Sequence, residues 1–266
     1  MEIKYTVLLF FTLLICASAG WMAQSKLHQR YVTRESVDSI RLLMGMLLTF
    51  SALVLGLLTS NAKQRFDGYN NDLSTFGANL LELDHRLRNY GTEANDIRLL
   101  LRSYTAAAIA DTWPEETVPS GQYPHIGHPP GDSGIEATEL GDLLGDIDSR
   151  IEHLAPPDEF HRQIAVLLRD RVAQAIQQRW RLIFSASSTI SWPFLVVLTF
   201  WLWIIFAIFG LTSPRSRLVY TVVVLSALSI ASPLYLILDY DDALKGLLKL
   251  SSSPMRAALS HMDRSN

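Results

Sequence analysis

Four uncharged apolar runs, Tyr5 to Met22, Leu42 to Ser60, Ile190 to Leu211 and Leu218 to Leu238, are arranged two and two around a polar stretch of 129 residues. Each is 18 to 22 residues long, close to the roughly 20 that a helix needs to cross about 30 Å of hydrocarbon. None contains Asp, Glu, Lys, Arg or His, whose placement at the centre of a bilayer costs at least a few kcal/mol each. A soluble core helix of that length carries a polar face, and these carry none. The partner for roughly a third of the chain is therefore the lipid bilayer. Composition agrees, with 49% hydrophobic and only 18% charged residues. The net charge of −3 gives no reason to expect nucleic acid as a partner. Cys16, the one cysteine, lies inside the first run and can form no internal disulfide.

The first run has two readings. Met1-Glu2-Ile3-Lys4 followed by apolar residues and Ala17-Ser18-Ala19 has the outline of a cleavable secretory signal. Glu2 offsets Lys4, however, and Gly20-Trp21-Met22-Ala23 prolongs the apolar stretch beyond a usual signal. A retained span is the preferred reading on length.

Apolar spacing continues past the second run. Phe66, Tyr69, Leu73, Phe76, Leu80, Leu83, Leu87 and Tyr90 recur at steps of three and four, a heptad seam. Ala94, Ile97, Leu101, Tyr104 and Ala108 keep the same phase beyond Gly91-Thr92, where a kink or tight turn is expected. Thr112 to Gly134 holds five prolines and four glycines in 23 residues, a loop or flap without regular structure. Leu140, Leu144, Ile147, Ile151 and Leu154 predict a further helix. Pro156-Pro157 ends it, and Asp158-Glu159 opens the next, which runs through Phe160, Ile164, Leu168, Val172, Ile176 and Trp180. Nothing alternates with period two.

The fold class is thus all-α, an integral membrane protein with four transmembrane helices and a helical extramembrane bundle. The segments are 1–60 (first span pair), 61–189 (helical domain with a flap at 112–134), 190–238 (second span pair) and 239–266 (C-terminal tail). The two short loops carry Lys26, Arg30, Arg34, Arg41, Arg215 and Arg217, whereas residues 61–189 have 12 basic and 19 acidic residues. The positive-inside rule then places the short loops in the cytoplasm and the bundle outside it, against the counter-signal of Lys63, Arg65, Arg179 and Arg181.

Chemistry is sparse. His125-x-x-His128 sits in the flap with no third ligand nearby, and His85, His153 and His161 lie on separate helical stretches. No phosphate loop, His-Glu-x-x-His or nucleophile elbow is present. The expectation is a protein that is not an enzyme, with no cofactor and no catalytic or metal residues. Gly45, Thr49, Ala52 and Gly56 step by four, three and four, placing small residues on one face of the second span. That face is either a close helix-packing surface, the preferred reading from spacing alone, or a pore wall. Asp239, Asp241 and Asp242 stand beyond the fourth span as membrane-exit acids, read as hydrated rather than as a cation ring.

The order of short motifs resembles the bestrophin-like domain-of-unknown-function membrane proteins of bacteria. The resemblance rests on Leu53 to Ala62 running into Gln64-Arg65-Phe66-Asp67, and on Leu99 to Tyr104 followed by Thr112-Trp113-Pro114. It rests also on Arg179 and Arg181 ahead of Trp192-Pro193, and on Asp241 to Gly246 followed by Leu248 to Leu259 with Ser251-Ser252-Ser253-Pro254. Family members often read Asp-Arg-Pro-Phe-x-Gly after the last span. Here Asp241 to Gly246 keeps only the first and last of these. The resemblance implies a multi-pass protein of the bacterial plasma (inner) membrane, similar in architecture to the pentameric anion channels called bestrophins. It implies a homo-oligomer that passes inorganic ions, with the second span as the path. The alternative from the residues is a membrane-anchored sensing or scaffolding protein whose acidic bundle and flap bind a partner.

Overall fold

The computed structural model describes residues 2–26, 34–126, 134–187, 192–241 and 249–264, and these form helices α1 (Glu2–Lys26), α2 (Arg34–Tyr90), α3 (Asn95–Thr112), α4 (Thr138–Glu152), α5 (Glu159–Ser187), α6 (Trp192–Thr212), α7 (Arg217–Asp241) and α8 (Ser253–Arg264). No strand occurs among the described residues. The helices group into two compact units, Met1–Phe66 with Thr189–Leu248, and Asp67–Ser188 with Lys249–Asn266.

Among the described residues, four helices are long and apolar enough to cross a membrane; the first unit holds three of them and the apolar part of α2. Its core joins Leu13 and Ala17 of α1, Leu58 and Ala62 of α2, Leu198, Leu202 and Phe206 of α6, and Val223, Ala227 and Ile237 of α7. α1 and α6 run parallel. Tyr5 meets Trp192 edge to face at 5.7 Å, the Trp203 indole donates to the Thr12 hydroxyl at 3.1 Å, and Gln24 donates to the Ser213 carbonyl at 3.4 Å. Arg215 donates to the Trp21 carbonyl, so the ends of α1 and α6 that lead into the two short loops lie together. Ala17, the first residue of the Ala-x-Ala stretch, is buried in this contact.

The second unit is a helical bundle. The heptad seam forms as its spacing predicts: Leu73, Phe76, Leu80, Leu83, Leu87 and Tyr90 are buried on α2, with Ile97, Leu101 and Tyr104 on α3. α2 is a single helix of 57 residues because its apolar spacing keeps phase from the span into the seam. It ends at Gly91, whose φ of 110° and ψ of −168° lie where L side chains are strained. A short 3₁₀ turn, Thr92–Ala94, then starts α3. Asp158 caps α5 by accepting the His161 backbone N–H at 2.8 Å, as the acids after Pro156-Pro157 suggest.

One expectation changes. The segment read as a C-terminal tail contains α8, whose Met255, Ala258, Leu259 and Met262 are buried and which packs on α3. Residues 113–126 of the flap hold no helix or strand, as their prolines and glycines suggest, and Trp113, Glu116 and Thr117 bond to Leu250, Ser252 and Arg256.

Candidate functional site

The buried side of the α2 span comprises Ser51 and Leu58, with Met44, Leu47, Val54 and Leu55 partly buried against the same core. At about 100° per residue, Gly45, Thr49, Ala52 and Gly56 fall on the opposite side of the helix. All four are exposed. A Cβ added at Gly45 or Gly56 would meet nothing within 4 Å. Among the described residues, the small-residue face therefore packs against no other helix. The Thr49 hydroxyl donates to the Gly45 carbonyl at 3.0 Å, which leaves its oxygen lone pairs directed outward. Next to this face, Leu42, Met46, Leu53 and Leu57 present a bulky apolar stripe, each more than half exposed.

Close helix packing does occur in the first unit, but elsewhere. Gly20 on α1 and Gly210 on α6 lie against each other's helix backbone. The spacing Ala17 to Gly20 was the available signal, and it was obscured because Ala17-Ser18-Ala19 also fits a cleavage site.

The acids after the fourth run are placed differently from the expectation. α7 extends through Asp241, so Asp239 is inside the helix and fully buried, not hydrated beyond it. The Tyr235 hydroxyl lies one turn back and donates to its carboxylate at 3.4 Å. The helix continues because no Gly or Pro follows Pro233 before residue 241. The side chain of Asp241 and all of Asp242 lie outside the described residues.

Two motif stretches without an evident role meet in the second unit. The Trp113 indole donates to the Leu250 carbonyl at 2.7 Å. Glu116 accepts from the Ser252 hydroxyl, from the Ser252 amide at 3.4 Å and from Arg256 Nε at 3.0 Å. Arg256 also donates to the Thr117 carbonyl at 2.6 Å. Lys249 pairs with Glu115, and Arg102 with Asp263. Partial burial pushes the Glu116 carboxyl upward, but the bonds from Ser252 and Arg256 outweigh it and hold the carboxyl below the usual range. This clasp fastens α8 to the end of α3.

Among the described residues, the candidate histidines do not gather at one site. His125 is exposed in the flap and His128 lies outside the described residues. His85 contacts Arg88, His153 the Ser149 carbonyl and His161 Asp158. Among the described residues, no three His, Cys, Asp or Glu side chains gather as a metal shell.

Residues 7–255 match the Bestrophin-like domain, nearly the whole chain. The chain belongs to the bestrophin-like family. Its fold is that of solved bacterial bestrophin homologs from Klebsiella pneumoniae. One variant aligns at a TM-score of 0.63 and 17% identity, covering 99% of this chain and 98% of that one. A second gives 0.64 and 14% over 99% and 96%, and a third 0.62 and 15% over 100% and 99%. At such identities the likeness carries the fold of this bestrophin-like protein and not its residue roles. A search of curated proteins returns no match to the sequence.

Proposed function

We propose that this bestrophin-like protein is a homo-oligomeric ion channel of the bacterial plasma membrane, with α2 lining the path along Gly45, Thr49, Ala52 and Gly56. The observation that carries the reading is the small-residue face turned away from the chain's own core, with open space where a side chain would stand. Small side chains leave room for an ion with part of its water, and the Thr49 oxygen supplies a polar contact in an otherwise apolar wall. Four spans in one chain are too few to enclose such a path, so copies must surround it. Membership of the bestrophin-like family supports the same reading. On this reading the protein conducts inorganic ions and is not an enzyme.

The mass of the detergent-solubilised particle, by native mass spectrometry or light scattering, tests the proposal first. A closed ring of several copies followed by ion currents in planar bilayers supports it. A particle that stays monomeric in mild detergent defeats it and turns attention to a partner for the acidic bundle.

A further inference from the structure

A groove of about 550 Å³ runs between α1 and α6 and reaches α7, all within the first unit. Leu8 and Leu9 of α1, Val196 and Phe200 of α6, and Leu234 and Leu238 of α7 give it apolar walls. Leu8, Val196 and Phe200 are each more than half exposed, so the groove opens sideways to the medium around the spans. At one end Tyr5 and Trp192 meet edge to face at 5.7 Å. They stand where the apolar stretches of α1 and α6 begin, the level at which Tyr and Trp rings sit against lipid headgroups. At the other end the Trp203 indole donates to the Thr12 hydroxyl at 3.1 Å, and that hydroxyl donates to the Leu9 carbonyl at 2.8 Å. Both groups are satisfied within the protein, so an apolar occupant strips no water from them.

The dimensions select the occupant. Trp203 lies eleven residues after Trp192, about 16 Å along the helix. A hydrocarbon core about 30 Å thick gives each leaflet about 15 Å. The groove therefore runs from headgroup level to the midplane, the depth of one acyl chain. Its 550 Å³ falls within the roughly 300–1,000 Å³ of ordinary ligand sites. A helix of a second copy, roughly 10–12 Å thick, would fill about twice that volume or more over the same length. A single extended hydrocarbon chain is the thinner occupant that fits.

We propose that this groove binds one phospholipid of the leaflet at the Tyr5–Trp192 end, with an acyl chain laid along α6 and the headgroup beside the aromatic pair. The site is separate from the α2 face and stands whether or not the protein conducts ions.

The test adds palmitoyl-oleoyl phosphatidylglycerol to the delipidated full chain in detergent, followed by native mass spectrometry and thermal unfolding. The wild type is expected to retain one lipid per chain and to gain several degrees, saturating with lipid, as for a ligand that binds only the folded state. Val196→Trp, which lays an indole into the open groove, is expected to lose both the bound lipid and the gain. Thr199→Phe fills the same groove and keeps the test open if Val196→Trp fails to fold. Leu228→Trp, on an exposed part of α7 outside the groove, is expected to behave as wild type and separates a site from general lipid contact. No lipid retained by the wild type, or equal retention in the groove variants, overturns the proposal. So does a lipid-free wild-type particle that loses copies in Val196→Trp, which would mean that a second chain covers the groove.

Discussion

Gly20 and Gly210 face each other's helices so closely that neither position has room for a side chain. A Cβ at Gly20 would stand 2.1 Å from the Ala207 carbonyl oxygen, and one at Gly210 would stand 2.1 Å from that of Ala17. Both obstacles are backbone, which cannot rotate aside. In a bilayer, where water gives helices no reason to associate, such close approach supplies much of the contact energy.

Gly20→Ala and Gly210→Ala should therefore each destabilise the first unit by about 2 kcal/mol or more, through forced separation of α1 and α6. Thermal unfolding in detergent checks this. Since the two substitutions push the same pair of helices apart, the double variant should lose less than the sum of the singles.

Much of this fold can be read from residue spacing. The spans stand out because a single charge inside any of them would be costly, and α2 reads as one helix because Phe66 to Tyr90 keep the phase of the run before them. α8 was hidden for a physical reason. Its stripe Met255, Ala258, Leu259 and Met262 is short and preceded by three serines and Pro254, and it earns its helix only by burial on α3. The apolar run stops at Leu238, which points to a hydrated Asp239 beyond the span, while burial beside Tyr235 lets α7 run through it. The face formed by Gly45, Thr49, Ala52 and Gly56 was legible as a face. Its direction was not, because spacing gives periodicity and only tertiary packing shows which side meets the core.

Asp84 and Arg98 form a bidding pair for a sharper test of the bundle. Their side chains are 4% and 10% exposed, with Arg98 Nε donating to Asp84 Oδ1 at 3.0 Å. Removing one partner by Asp84→Ala leaves the other charge buried and should cost roughly 3–5 kcal/mol. Replacing both, as Asp84→Leu with Arg98→Met, should restore most of that loss. Chemical unfolding of the three proteins checks it, and equal losses in the single and double variants would contradict the charge-burial account.

The Glu116 clasp should be pH-sensitive. A carboxyl held below its usual range in the folded protein contributes stability that is complete at neutral pH and is lost as pH falls through its folded value. Glu116→Gln should lower stability at pH 7 by about 1 kcal/mol, a modest figure because the carboxylate is partly solvent-screened. The gap between wild type and variant should narrow steadily below pH 4.5, the ordinary value for the group. Melting curves of both proteins between pH 3 and pH 7 decide it.

Substitutions on the outward face of α2 should separate folding from conduction. Since nothing lies within 4 Å of a Cβ at Gly56, Gly56→Leu meets no obstacle in its own chain and should leave the thermal unfolding of the monomer within about 1 kcal/mol of wild type. Thr49→Val keeps the volume of the side chain and removes the oxygen that the outward lone pairs present. If this face lines the path, Gly56→Leu narrows it and should cut single-channel conductance about tenfold, the effect of a barrier raised by about 1.4 kcal/mol. Thr49→Val should change ion selectivity with little change in particle mass. If the face is instead a surface between copies, Gly56→Leu should dissolve the oligomer while the chain stays folded, and native mass spectrometry beside the current recordings tells the two apart.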